Sequence, residues 1–189
     1  MTVLFVNACL RNEESRTLGL CREYLEGIDS VQEVNLGQMR LEPFYAESVA
    51  YRAQLEAAGV FDDPVFDLAK QFAEADEIVV GAPYWDLSFP AALKVYLEHV
   101  SVCDITFHYT DDARCEGLCR ARHLTYLTTC GGSVAGANLG YEYLCGIARM
   151  FGIPEVRFAV AENLDVRGID VEAQLAEARE KVAALKAAR

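Results

Sequence analysis

The segment CLRNEESRT, residues 9–17, gathers groups that bind anions: Arg11 and Arg16 bring positive charge, and Ser15 and Thr17 bring hydroxyl donors. It leads into a segment where Leu18, Cys21 and Leu25 recur at helical spacing, with Ser15 placed as an N-cap. First-turn amides have no partner inside a helix, and the helix dipole favours negative charge there, so this is a place for a phosphate. The same residues also describe a plain Ser-capped helix with solvated arginines. A second loop, PYWDLSFP at residues 83–90, brings Tyr84, Trp85, Leu87 and Phe89 together. Flat apolar walls of this kind suit a planar aromatic ligand, although aromatic residues after a strand also serve as core filler. A third loop, TTCGGS at residues 128–133, lets a ligand approach the backbone at Gly131 and Gly132, or makes a simple turn. Together the loops describe a ligand with a phosphate at one end and a flat ring at the other.

These loops need elements to hold them. Residues 2–8 and 77–82 are near-continuous apolar runs, as expected of strands covered on both faces. Residues 31–36 alternate, and residues 124–129 and 156–161 complete a set of five strands. Helices are expected over residues 17–28, 47–58, 65–75 and 138–151, the last stopped by Gly152 and Pro154. Another is opened by Ser88 and Pro90 and carries Leu93, Tyr96, Leu97 and Val100 on one face. A C-terminal helix carries Val171, Leu175, Ala178, Val182 and Leu185. This alternation predicts one α/β domain over residues 1–189: a five-stranded parallel sheet, order 2-1-3-4-5, with helices on both faces. In such a sheet ligands sit beyond the carboxyl ends of the strands, at the switch point between strands 1 and 3. That rule selects the same three loops. Residues 40–63 and 101–122 fall outside the pattern, and insertions of that length are usually functional or interface-forming.

The chain of 189 residues carries 29 acidic and 17 basic side chains, a net charge of −12. Such acidity disfavours nucleic acid and an anionic membrane surface as partners, since both need a cationic footprint. Residues 1–24 hold three arginines and three glutamates, so the entire negative excess lies elsewhere. No apolar run is long enough to span a bilayer, and no secretion signal is expected. Seven cysteines, an odd and dispersed set, point to free thiols in a reducing cytoplasm.

Other signals lead elsewhere or nowhere. Neither GxGxxG nor GxxxxGK[ST] is present, so a dinucleotide fingerprint and a P-loop are both unsupported. A phosphorelay receiver needs acidic residues where strand 1 ends, but here the chain reads Asn7-Ala8-Cys9. Cys115, Cys119 and His123 are spaced by four but lack a compact CxxC pair, so no metal site is expected. Cys130 has no identifiable base and is read as a pocket residue. His99, His108 and His123 are read as structural or surface groups, and Lys94 and Glu98 as an i, i+4 helix pair.

The stretch GAPYWDLSFPAALKVYLEHVSVCDITFHYT, followed by GL and then LTTCGG, resembles the flavodoxin-like FMN-dependent NAD(P)H oxidoreductases. That group contains NADH:quinone reductases and FMN-dependent NADH-azoreductases. With the VLFVNACLR…SRT start, the resemblance covers nearly the whole chain in order. It implies a flavodoxin-like fold and FMN phosphate contacts at Ser15, Arg16 and Thr17, with Cys9 beside them. It implies ring contacts at Tyr84, Trp85, Asp86 and Leu87 on one side, and at Thr129, Cys130, Gly131 and Gly132 on the other. Phe107 and Tyr109 are implied to line a substrate cleft at a homodimer interface. Two positions depart from the azoreductase pattern: Cys9 replaces a usual Ser, and Asp86 a usual Asn. The implied activity is ping-pong reduction of flat acceptors (quinones, azo dyes, nitroaromatics) by NADH or NADPH, with the chemistry carried by the flavin. The alternative is a non-enzymatic flavodoxin-type electron carrier, monomeric, with an exposed flavin edge. The extra stretches at 40–63 and 101–122 favour the covered, dimeric enzyme. A third reading, a relative that binds no flavin and acts through protein contacts, finds no disrupting charge or helix breaker in the three loops.

Overall fold

The computed structural model describes residues 1–189. In chain order the strands are β1 (Val3–Asn7), β2 (Val31–Asn35), β3 (Glu77–Gly81), β4 (Phe107–Tyr109), β5 (Cys115–Gly117), β6 (Leu124–Thr129) and β7 (Val156–Ala161). The helices are α1 (Arg16–Leu25), α2 (Leu36–Met39), α3 (Ala46–Ala58), α4 (Asp67–Glu74), α5 (Ala91–Val100), α6 (Leu139–Met150) and α7 (Val171–Ala187). Five strands form a parallel sheet in the order β2-β1-β3-β6-β7, while β4 and β5 form a separate antiparallel hairpin. Among the strands of the large sheet this is the expected 2-1-3-4-5 order. The strand numbering is corrected by the hairpin, which the sequence reading did not contain.

The side-chain period of two sorts the sheet into two cores. Leu4, Val6, Ile78, Val80, Leu124 and Tyr126 point to one face, where Phe72 of α4, Leu93 and Leu97 of α5 and Leu144 of α6 cover them. Val3, Phe5, Val79 and Leu127 point to the other, against Leu18, Cys21 and Tyr24 of α1 and Leu175 and Val182 of α7. Every residue of β1, β3 and β6 is buried, which is why β1 and β3 read as near-continuous apolar runs; in β6 the burial extends to Thr125, Thr128 and Thr129.

Several boundaries differ from expectation, each for a local reason. Leu36 starts α2 instead of closing β2, because the Asn35 side chain accepts a hydrogen bond from the Gly37 amide at 3.0 Å. Ser88 does not open a helix: Pro90 is the N-cap of α5, and Ser88 exchanges two backbone hydrogen bonds with Trp85, at 2.8 and 3.0 Å. The hairpin leaves no signal in the sequence because strands of three residues carry no readable alternation. It is held instead by a close approach. A Cβ on Gly117 would lie 1.9 Å from the backbone of Phe151 and Gly152, so β5 seats directly on the end of α6. No helix is long and apolar enough to cross a membrane.

Candidate active site

Beyond the carboxyl ends of β1, β3, β6 and β7 lies a cavity of about 390 Å³, within the usual range of ligand sites. It is bounded by the loop into α1, the loop after β3, the loop after β6 and, in addition, the loop after β7. Arg11, Ser15, Arg16, Thr17, Tyr84, Trp85, Thr129, Cys130 and Gly131 all line it. The switch-point rule therefore brings nine of the expected residues to one place.

The α1 end is built as an anion seat. The Ser15 Oγ accepts a hydrogen bond from the Leu18 amide at 3.2 Å, which fixes the cap. The amides of Arg16 and Thr17 have no intrahelical acceptor and face the first turn. Thr17 is itself buried, and its hydroxyl meets that of Thr129 at 2.7 Å, clamping the start of α1 to the end of β6.

The opposite wall is aromatic. Tyr84 is fixed twice, by its amide to the Thr129 carbonyl at 3.0 Å and by its hydroxyl to the Ala137 carbonyl at 2.7 Å. Trp85 is 42% exposed, an uncovered indole at the cavity edge. Asp86 and Leu87 form the tip of a tight turn with φ of 49° and 67°. Left-handed backbone at two successive non-glycine residues is costly, and a branched side chain is the worse fit. The turn holds Trp85 in place, while Asp86 and Leu87 themselves stand outside the lining.

Cys9, Gly132, Phe107 and Tyr109 also fall outside the lining of this single chain. Cys9 is buried beneath the first loop, its amide bonded to Asn7 Oδ1 at 2.9 Å and its thiol directed at the Gly81 carbonyl at 3.5 Å. A hydrogen bond from the Cys21 thiol lowers the Cys9 pKa despite burial, which works the other way. Gly132 turns its carbonyl to the Cys130 thiol at 2.8 Å and to the Asn163 amide at 2.7 Å. Burial, followed by the nearby Glu162 carboxylate, pushes the Cys130 pKa up to about 11, so the group is a neutral thiol near neutrality rather than a nucleophile. Phe107 stacks on Phe151 and meets Tyr109 edge to face, and Tyr109 is 65% exposed. The three residues weighed as metal ligands do not converge: Cys115 is exposed, the Cys119 thiol donates to the Thr106 carbonyl at 3.7 Å, and His123 lies 3.3 Å from Glu77.

Glu14 and Pro83 lie in the expected loops without having been singled out, and the sequence reading missed Leu164 and Asp165. The last two sit in the loop after β7, which the same strand-end rule would have selected had it been applied to the final strand. Arg16 reaches this loop, donating to the Leu164 carbonyl and the Asp165 carboxylate, both at 3.3 Å.

A doubly covered parallel sheet with its cavity at the β1–β3 switch point defines a protein of the flavodoxin-like class. The family described as flavodoxin-like fold matches residues 1–185, and the chain belongs to it. A protein of Clostridium perfringens named FMN-dependent NADH:quinone oxidoreductase is 31% identical over 97% of this chain and 96% of its own. One of Clostridium acetobutylicum, named FMN-dependent NADH:quinone oxidoreductase 2, is 33% identical over 95% and 94%. Among solved structures, a FMN-dependent NADH-azoreductase from Bacillus anthracis in complex with FMN superposes with a TM-score of 0.84 at 18% identity, covering 99% of this chain and 98% of that one. This last likeness is one of fold.

Proposed function

We propose that the protein is an FMN-dependent NADH:quinone oxidoreductase, working by a ping-pong mechanism on flat acceptors and assembled as a homodimer in the cytoplasm. The observation that carries the reading is the meeting, in one cavity, of a capped helix start bearing two arginines and an aromatic wall. The names and full-length coverage of the Clostridium relatives support the same activity.

The residues present fit FMN. The Arg16 and Thr17 amides, the Ser15 hydroxyl and the Arg11 and Arg16 guanidiniums would hold the phosphate. Tyr84 and Trp85 would face the ring, with the backbone of residues 129–131 along its edge. When bound, FMN supplies the transfer of reducing equivalents from NADH to the acceptor. The chain does not use Cys130 as a base, since the raised thiol stays protonated. Its part is to bind, to orient and to exclude water. One open face beside Trp85 would be used by NADH and acceptor in turn, hence ping-pong kinetics.

Surface composition supports the dimer. No residue of α3 is buried, and Val49 and Tyr51 on it are 52% and 49% exposed. Leu87, Tyr109 and Leu139 add further exposed apolar surface, and Phe107 and Tyr109 would complete the cleft from that side. The cytoplasmic setting rests on seven dispersed cysteines, an odd set that suits a reducing compartment.

The purified protein is expected to be yellow and to oxidise NADH when a quinone is added, with parallel lines in double-reciprocal plots. A protein that FMN cannot reconstitute refutes the cofactor, and a yellow protein inert to NADH supports an electron carrier instead. Gel filtration of the active sample reads the assembly, and a fully active monomer refutes the shared cleft.

A further inference from the structure

The loop after β7 is fastened across the end of β6 by a run of backbone hydrogen bonds. The Asn163 amide donates to the Gly132 carbonyl at 2.7 Å, Leu164 to Cys130 at 3.2 Å and Asp165 to Gly131 at 3.0 Å. This run presses the Asp165 side chain onto Gly131, where a Cβ would lie 2.4 Å from Asp165 Oδ2. The backbone bond of Asp165 to Gly131 brings the carboxylate over the glycine, where the missing side chain leaves room for it.

From there Asp165 Oδ1 reaches Arg16 Nη1 at 3.3 Å, and the Leu164 carbonyl takes the same nitrogen at 3.3 Å. The guanidinium that would serve an incoming phosphate is already engaged by an acid across the cavity. The cavity lining carries two cations, Arg11 and Arg16, and two anions, Glu14 and Asp165. The pair is exposed, with side chains 45% and 75% accessible, so it is weak and readily exchanged. A phosphomonoester, offering more acceptors and more charge, would displace the carboxylate from Arg16. The Asp165 backbone, bonded to Gly131, would nonetheless keep the displaced carboxylate near the phosphate as a like charge.

We infer that Asp165 is a specificity-determining residue of this cavity, which keeps Arg16 oriented across it and competes with a ligand phosphomonoester for that guanidinium. Asp165 thereby sets how strongly the site favours a phosphorylated ligand over its unphosphorylated counterpart. The inference rests on the reading of the cavity as an FMN site.

Comparison of FMN with riboflavin isolates the phosphate. Full-length protein freed of flavin is titrated with each by fluorescence quenching, as wild type and as Asp165→Asn, which keeps the loop hydrogen bond and the side-chain shape. The Asp165→Asn variant is expected to bind FMN about two- to fivefold more tightly and riboflavin within about twofold of wild type. In an Arg16→Ala background the gain for FMN should shrink, since the competition has lost its object. Unchanged FMN affinity overturns the inference, as does an equal change for both flavins, which would place Asp165 on the part they share. A wild-type protein that binds neither flavin overturns the cofactor reading, and this inference with it. One that binds both but is indifferent to Asp165→Asn overturns the inference alone.

Discussion

The hydroxyls of Thr17 and Thr129 meet at 2.7 Å in the protein interior, joining the first turn of α1 to the last residue of β6. Both belong to the cavity lining, so this bond ties the anion seat to the far edge of the site. Thr17→Val keeps the shape but strands the Thr129 hydroxyl, and a loss of about 1–3 kcal/mol is expected in urea denaturation. The double variant Thr17→Val/Thr129→Val should lose less than the sum of the two single variants, because no unpaired hydroxyl remains. Strict additivity would show that the bond contributes nothing.

Two glycines should respond to alanine in opposite directions. Gly117→Ala drives a Cβ into backbone at 1.9 Å, with no flexible side chain to yield, so a loss of at least about 1–3 kcal/mol is expected. Gly146, exposed within α6 with nothing near its Cβ position, should gain about 0.5–1 kcal/mol as alanine. Thermal denaturation of the two variants in parallel tests both, and equal shifts would contradict the hairpin seat.

At the opposite end of the sheet from the cavity, Glu77 is fully buried and bonded by Tyr24 at 2.7 Å and by Arg189 at 2.7 and 2.6 Å, with His123 at 3.3 Å. Burial acts to raise the Glu77 pKa, but the hydrogen bonds from His123, Tyr24 and Arg189 outweigh it and hold the carboxyl below its ordinary value. A depressed carboxyl stabilises the fold above the unfolded value of about 4.3, and that stability is lost as pH falls through the folded value. Denaturation midpoints should therefore hold steady down to about pH 5 and decline below it. Glu77→Gln is expected to cost about 3 kcal/mol at neutral pH and to flatten the acid limb. A variant with the wild-type acid profile would remove Glu77 from that role.

The cysteines should differ in reactivity. Cys115 is exposed, whereas Cys130 is buried with its pKa at about 11. Maleimide at pH 7.5 is expected to label Cys115 well before Cys130, with Cys130 gaining as pH approaches 11, as read by peptide mass spectrometry. Early labelling of Cys130 at neutral pH would mean a thiolate, and would reopen a chemical role for it.

The apolar runs of β1 and β3 and the helical spacing of α1, α5 and α7 were legible in the sequence, because burial on two faces or one stripe demands them locally. So was the cap at Ser15, since a Ser ahead of a periodic segment acts within one turn. Once the strand order followed, the switch-point rule brought nine of the expected site residues together. The remainder depended on contacts between distant parts of the chain. No local pattern places Asp165 on Gly131, fastens Thr17 to Thr129, or seats Gly117 on Phe151. Nor does any local preference set Leu87 at positive φ, a conformation its own side chain disfavours and its surroundings impose. Local periodicity thus determined which elements form and which loops face the ligand. The charge balance of the cavity and the place of the hairpin were decided by tertiary packing, because hydrogen bonds and steric exclusion between distant residues leave no trace in the period of either segment.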